Sequence, residues 1–358
     1  MQRSVGQVCP IVSGALKPIC SQAFIPGKNV RFSRPVQIAA GVAIAAAGLA
    51  IFLRDLDPGQ LVRQMRETEP WSLAAVPVLT MLTLWLRAVR WGLILPNKPE
   101  AHKNDLTATT TIGFMVNNVV PARIGEAVRA LLLWKRNRYG VTVSIGSLVV
   151  ERALDSIVFM SFFALPVLVF DVAAVLRPYA WGMVGIIAAV LAFFGLYALI
   201  PHQAHRFAMA AVGLLPGKVG ERAKTLAEEA LSTLAWLRSW HRALRIFALS
   251  PVITGCYALM IFVLAPESSP LGLAPSLTAS SFAALGTVIP LSPGYVGTLH
   301  ATMLEGLVLL GQEREAARAL TLMYHALTYL VPTLAGAYFL FRLDLDFKDI
   351  AKAREHLA

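Results

Sequence analysis

The chain has 358 residues, 56% of them hydrophobic and 15% charged, with a net charge of +11. That balance excludes a water-soluble globular protein, which needs more charged surface to cover its core. The positive charge does not call for nucleic acid, because the Lys and Arg residues fall between apolar segments, as suits an inner leaflet with anionic head groups.

Residues 1–35 carry Arg3, Lys17, Lys28, Arg31 and Arg34 and no acid, and Pro10, Pro18 and Pro26 interrupt any apolar run. They read as a disordered cytoplasmic tail, although an organelle transit peptide shares the acid-free character. A membrane-crossing helix needs about 20 apolar residues. Stretches 36–53, 71–95, 148–170, 178–200, 245–265 and 320–341 qualify. Two more, 106–120 and 276–289, are too short at about 15 residues each. Both run into Pro and Gly, and 295–310 follows the second without an intervening charge.

Charge orients the loops. Residues 54–70 set three Arg against Asp55, Asp57, Glu67 and Glu69 and read as outside. Residues 121–140 hold Arg123, Arg129, Lys135, Arg136 and Arg138 against Glu126 and read as inside, as do Lys98 and Lys103 upstream. Both flanks of 106–120 are then cytoplasmic, which predicts a re-entrant hairpin. The basic stretch 201–244 reads as inside, with 203–243 an amphipathic cytoplasmic segment, and apolar residues at helical spacing over 218–240 predict a helix there that lies along the membrane surface. A second hairpin over 276–310, entering from outside, brings the tail 343–358 inside. The expectation is an all-α, polytopic bundle in the inner (plasma) membrane. It has about six full spans, two re-entrant hairpins and both termini cytoplasmic. Val119-Val120-Pro121 with Gly125, and Val288-Ile289-Pro290 with Gly294, match in spacing, so an inverted repeat with a site at the breaks is expected.

Three constellations carry possible chemistry. In the first, Pro121 is suited to a first helical position, and the free N–H groups of the helix after it suit a phosphate. Asn118 precedes this break. Arg123 offers a fork for phosphate oxygens, with Glu126 one turn on to hold it. The alternative is a cytoplasmic edge whose arginines, Arg129 among them, set topology. In the second, Glu151 and Asp155 share a helix face with Arg152 one position round, deep in an apolar run. A buried network with Arg123 or Arg90 is expected, serving either transport or a structural lock between helices. In the third, Pro290, Pro293, Gly294 and Gly297 break a helix just before His300. This is either irregular backbone lining a cavity or a tight turn between short spans.

Arg87, Arg90 and Trp91 read as an interfacial anchor ending their span. Tyr324 and His325 either line a cavity or pack. His202 and His205 lack a third ligand, and Cys9, Cys20 and Cys256 lack metal-ligand spacing, so no metal or cofactor is expected.

In order along the chain come Arg90-Trp91, then Asn118-x-x-Pro121-Ala122-Arg123-x-Gly125-Glu126-x-x-Arg129. Glu151-Arg152-x-x-Asp155 and Pro290-x-x-Pro293-Gly294-x-x-Gly297 follow. This set resembles the lysylphosphatidylglycerol synthase transmembrane region, also called the flippase-like integral membrane proteins, over about residues 36–342. The resemblance implies a flippase-like domain that binds and moves lipids, anionic or phosphate-bearing ones in particular. It implies that Arg123, Arg152, Arg129 and Arg90 meet the lipid phosphate while Glu126, Glu151 and Asp155 orient them or carry protons. His300 stands where the family often has an acid, so a carboxylate role does not transfer there. A soluble aminoacyl-transferase half is not expected beside this region, and a non-enzymatic transporter is expected. The competing expectations are a membrane enzyme acting on a lipid-linked phosphate through His300 or Glu151, and an accessory protein docking a partner through 201–244.

Overall fold

The computed structural model describes residues 59, 62, 66–96, 103–120, 123–137, 139–170, 172–288 and 292–343. The predicted tail 1–35, the first predicted span 36–53, Pro121, Pro290 and residues 344–358 lie outside the described residues. Among the described residues every regular element is helical.

The chain forms α1 (Pro70–Ile94), α2 (Lys103–Val119), α3 (Ile124–Asn137), α4 (Val141–Val169) and α5 (Arg177–Leu199). Next come α6 (Pro201–Gly213), α7 (Gly217–Ser232) and α8 (Trp240–Leu264). Then follow α9 (Leu273–Val288), α10 (Thr298–Leu309) and α11 (Arg314–Arg342). Proline marks helix starts where its missing N–H costs nothing: Pro70 opens α1 and Pro178 sits in the first turn of α5. Leu95 leaves α1 in an extended conformation, as a residue before Pro96 must.

Four helical segments are long and apolar enough to cross a membrane: Pro70–Ile94, Val143–Val169, Ala174–Leu199 and Trp240–Leu264. They coincide with four of the predicted spans. Only 6% of the apolar window in Ala174–Leu199 is buried, so the face of α5 turned away from α4 must be wetted by lipid rather than water. α11 is long enough to span but carries a polar face with Tyr324, His325, Thr328, Tyr329 and Thr333.

The two short predicted stretches form two antiparallel helix pairs, α2 with α3 and α9 with α10. At 17, 14, 16 and 12 residues these helices are about 25, 21, 24 and 18 Å long, against a hydrocarbon core of about 30 Å. α2 packs along α11, and α9 packs against α4 and α8. The turn that follows α9 touches α2, so the tips of the two pairs meet inside the bundle.

The helix predicted over 218–240 is not continuous. α7 stops at Ser232 and a 3-10 segment, Thr233–Arg238, carries the chain to α8. Trp236 is the physical reason: it is buried edge-on against Phe194 and Phe247, and turning it inward draws Leu234 and Leu237 into the same cluster. These residues pack on α1, α4, α5 and α8.

Candidate functional site: an arginine-rich cavity where two hairpin tips meet

α4 places Glu151 and Asp155 one helical turn apart on the face turned towards α1 and α3. Both are buried, and every carboxylate oxygen accepts from a guanidinium. Arg129 of α3 meets Glu151 through two parallel contacts, Nη1–Oε1 at 3.1 Å and Nη2–Oε2 at 2.9 Å. Asp155 takes Arg87 on Oδ2 at 2.8 Å and Arg90 on Oδ1 at 2.6 Å. Arg152 reaches both acids, with Nη2 at 2.8 Å from Glu151 and 3.2 Å from Asp155. Such geometry is what lets charges persist away from water.

This corrects the reading of Arg87, Arg90 and Trp91 as an interfacial anchor. All three are buried: Arg90 also donates to Ser250 Oγ at 3.0 Å, and the Trp91 ring lies under Arg129 at 4.3 Å. The expected network joins Glu151, Arg152 and Asp155 to Arg90, and Arg87 and Arg129 are the partners that the sequence did not reveal. Arg123 is not in it.

Arg123 sits just before α3 with φ of +51°, and Tyr295 sits at the other tip with φ of +60°. Both are bulky residues in the left-handed region, a strained placement that persists only where surroundings hold it. They hold each other. The Arg123 guanidinium lies 5.8 Å from the Tyr295 ring centre and donates to the Thr287 carbonyl at the end of α9. The expected clasp of Arg123 by Glu126 is not formed, because the left-handed turn swings Arg123 across to the other tip. Glu126 instead faces Arg152 at 3.9 Å.

Asn117 and Asn118 fasten the first tip. Asn117 Oδ1 accepts from the Gly125 N–H at 2.8 Å, capping α3, and Asn118 Nδ2 donates to the Tyr329 carbonyl at 3.0 Å and Thr333 Oγ1 at 2.9 Å. The second tip is held by histidines. The Gly294 carbonyl only accepts, so His325 Nε2–H donates to it at 2.8 Å, and in the neutral ring His325 Nδ1 then accepts from His300 Nε2–H at 2.7 Å. His300 therefore lies one layer behind the cavity wall, and His325 is the member that lines it. Pro293 opens the 3-10 turn Pro293–Tyr295, and Gly297, at φ of +91°, precedes α10. Glu305, the next acid along, pairs with Arg314 on the surface.

A cavity of about 160 Å³ lies where the tips meet, its wall completed by α1, α4, α8 and α11. Its charged lining is Arg87, Arg123, Arg129 and Arg152 against Glu126 and Asp155, an excess of two positive charges. Adding the buried Arg90 and Glu151 behind them leaves that excess unchanged.

A family profile described as the lysylphosphatidylglycerol synthase TM region matches residues 38–336. The chain belongs to this family. As a member of the lysylphosphatidylglycerol synthase TM-region family it is a multi-pass membrane protein. It is 32% identical over 126 residues to a protein named glycosyltransferase AglD of Haloferax volcanii, covering 35% of this chain and 20% of that one. It is 26% identical over 175 residues to a UPF0104 membrane protein of Methanothermobacter thermautotrophicus, covering 46% of this chain and 50% of that one. The matches thus span a fifth and a half of those relatives.

Within this family member, Gly125 does more than break a helix. A Cβ there would lie 1.9 Å from the Gly113 carbonyl oxygen of α2 and 2.6 Å from Asn117 Oδ1. Gly113 in turn leaves room for the Arg129 stem. Gly125→Ala is expected to destabilise the protein by about 3 kcal/mol or more, since the Gly113 carbonyl is backbone and cannot step aside, and moving Asn117 breaks the cap of α3. The midpoint of heat-induced loss of monodisperse protein in detergent measures it.

Proposed function

We propose that this protein is a lipid flippase-like transporter that takes the phosphate of a phospholipid or polyprenyl-phosphate-linked lipid and carries it between leaflets. One observation carries the reading: a cavity with two more arginines than carboxylates, enclosed where two short helical hairpins meet. A bare phosphate is excluded from hydrocarbon, and a fixed cation excess lowers that barrier. Arg123 and the half-buried Arg152 are the phosphate-facing pair. Arg87, Arg90 and Arg129 brace Glu151 and Asp155, which in turn aim Arg152. The acyl or prenyl chains stay in the bilayer.

In this reading the domain is 36–342, with six full spans that include 36–53 and α11. The two hairpins are re-entrant from opposite faces of the plasma membrane, and both termini are cytoplasmic. The test is translocation in proteoliposomes made with the full chain and trace head-group-labelled phospholipid. Protein-dependent loss of protection of inner-leaflet label from a quencher added outside supports the proposal, and a rate equal to empty liposomes defeats it.

A second reading, a membrane enzyme on a lipid-linked phosphate, draws on the relative named a glycosyltransferase. Turnover of a polyprenyl-phosphate sugar by purified protein, lost in His300→Ala, would favour it over transport.

A further inference from the structure

At the second hairpin tip the buried rings of His300 and His325 meet edge to face, with ring centres 4.7 Å apart and His300 Nε2 lying 2.7 Å from His325 Nδ1. Neither ring belongs to the phosphate-facing pair. As neutral rings they hold one N–H on the Gly294 carbonyl and one between themselves. A further proton fits without breaking either contact. His300 passes its Nε2 proton to His325 Nδ1 and takes the new one on its own Nδ1. The two rings then share one positive charge, and an N–H still joins them.

The charge opposite decides when that happens. His325 opens onto the cavity with Arg87 from α1, Arg123 and Tyr295 from the two tips, and Tyr257 from α8. From α2 it meets only the amides Asn117 and Asn118. Tyr324 and Tyr329 flank it on α11, whose nearest ionised group, Arg318, lies about two turns away and pairs with Glu315. α9, packed against α10, has no ionisable side chain, and Glu305 of α10 pairs with Arg314. The wall acids Glu126 and Asp155 are outnumbered by arginine, so a proton on the histidines adds a third excess charge to the empty cavity. A lipid phosphate brings one negative charge. Phosphate and proton together return the cavity to the excess of two positive charges that it has when empty.

We infer that His300 and His325 form a proton site linked to the phosphate site, so that a lipid anion enters the cavity with one proton drawn from solvent and returns it to solvent on leaving. This rests on the lipid-binding reading above and adds the ion that travels with the lipid. The lipid and its proton then carry no net charge across the bilayer, and the membrane potential neither drives nor opposes the step.

Dihexanoylphosphatidylglycerol is titrated calorimetrically into the full chain in detergent, in two buffers of different ionisation enthalpy, at each pH from about 4.5 to about 8. Its phosphodiester keeps one charge over that range, so every proton counted belongs to the protein. Uptake is expected to reach at least about half a proton per lipid, and affinity there to rise by up to about tenfold for each unit fall in pH. The sign follows because the protonated rings are the form that favours the anion. His300→Glu keeps a partner for His325 but holds a proton on it in the empty cavity too, so lipid is expected to bind with no uptake and an affinity flat in pH. His325→Gln still donates to the Gly294 carbonyl and is expected to lose the uptake by a second route. Glu126→Gln removes the partly exposed acid of the wall and is expected to keep it. Wild-type binding without uptake at any pH, uptake that survives either histidine variant, or uptake lost in Glu126→Gln overturns the inference and leaves the lipid reading standing. Wild-type protein that binds no lipid at any pH brings down the lipid reading, and the proton site with it.

Discussion

Arg123→Ala is expected to lower lipid translocation at least about a hundredfold while leaving the protein folded and inserted, the equivalent of roughly 3 kcal/mol at the barrier. The size follows from what Arg123 does. Its guanidinium sits at the junction of the tips, against the Tyr295 ring and the Thr287 carbonyl, and no carboxylate among the described residues claims it. It is therefore the cation with the smallest cost of turning to a phosphate. Folding does not depend on it to the same degree. The variant loses a hydrogen bond to a carbonyl, worth about 1 kcal/mol. Arg123→Gly loses the same bond but relieves a residue at φ of +51°, returning a similar amount. Arg123→Gly is thus expected to match the wild type in thermal stability and Arg123→Ala in transport. Arg123→Lys keeps the charge without the planar fork and should fall between. A wild-type rate for Arg123→Ala in the proteoliposome assay would sink the role.

Asp155→Ala is expected to have the opposite profile, a collapse of folded yield ahead of any question about transport. Asp155 holds Arg87 and Arg90 and part of Arg152, and all four charges sit between α1 and α4. Removing it strands arginines that are buried to within a few per cent, and one broken buried pair costs about 3–5 kcal/mol. Asp155→Asn preserves shape but not charge and should recover little. Removing Arg87 together with Asp155, as Arg87→Met/Asp155→Ala, restores the cation excess to its original value and should regain part of the loss. The recovery is read as the fraction of protein eluting as a single species from detergent. An Asp155→Ala protein as stable as the wild type would show that α1 and α4 are held by apolar packing alone.

The site divides into what local spacing exposes and what it hides. Glu151 and Asp155 were legible because a four-residue interval puts two acids on one helix face, and charge in an apolar run must find partners. The short helices were legible from the lengths of 106–120 and 276–289 and from the breaks at Val119-Val120-Pro121 and Val288-Ile289-Pro290 in the sequence. Arg87 was not, because an arginine near the end of an apolar helix has an equally good life at the head-group level. Only the packing of α1 on α4 and α8 turns it inward, over the Phe114 and Tyr257 rings. The wrong partner for Arg123 has the same origin. Counting residues along a helix places Glu126 within reach, but Arg123 precedes the helix in a left-handed conformation that spacing does not reveal.

By itself the sequence determined that this is a helical membrane protein, where its long apolar helices run, and which short ones end in broken backbone. Those follow from solvent, since hydrocarbon forces every peptide group into a helix and sets the length it needs. Tertiary structure alone decided that the two broken ends touch, that Arg123 reaches across to Thr287 and Tyr295, and that Gly125 must be bare to let α3 approach Gly113. Contacts between residues 164 positions apart, as Arg123 and Thr287 are, depend on how whole helices pack, and packing is a property of shape that no local interval encodes.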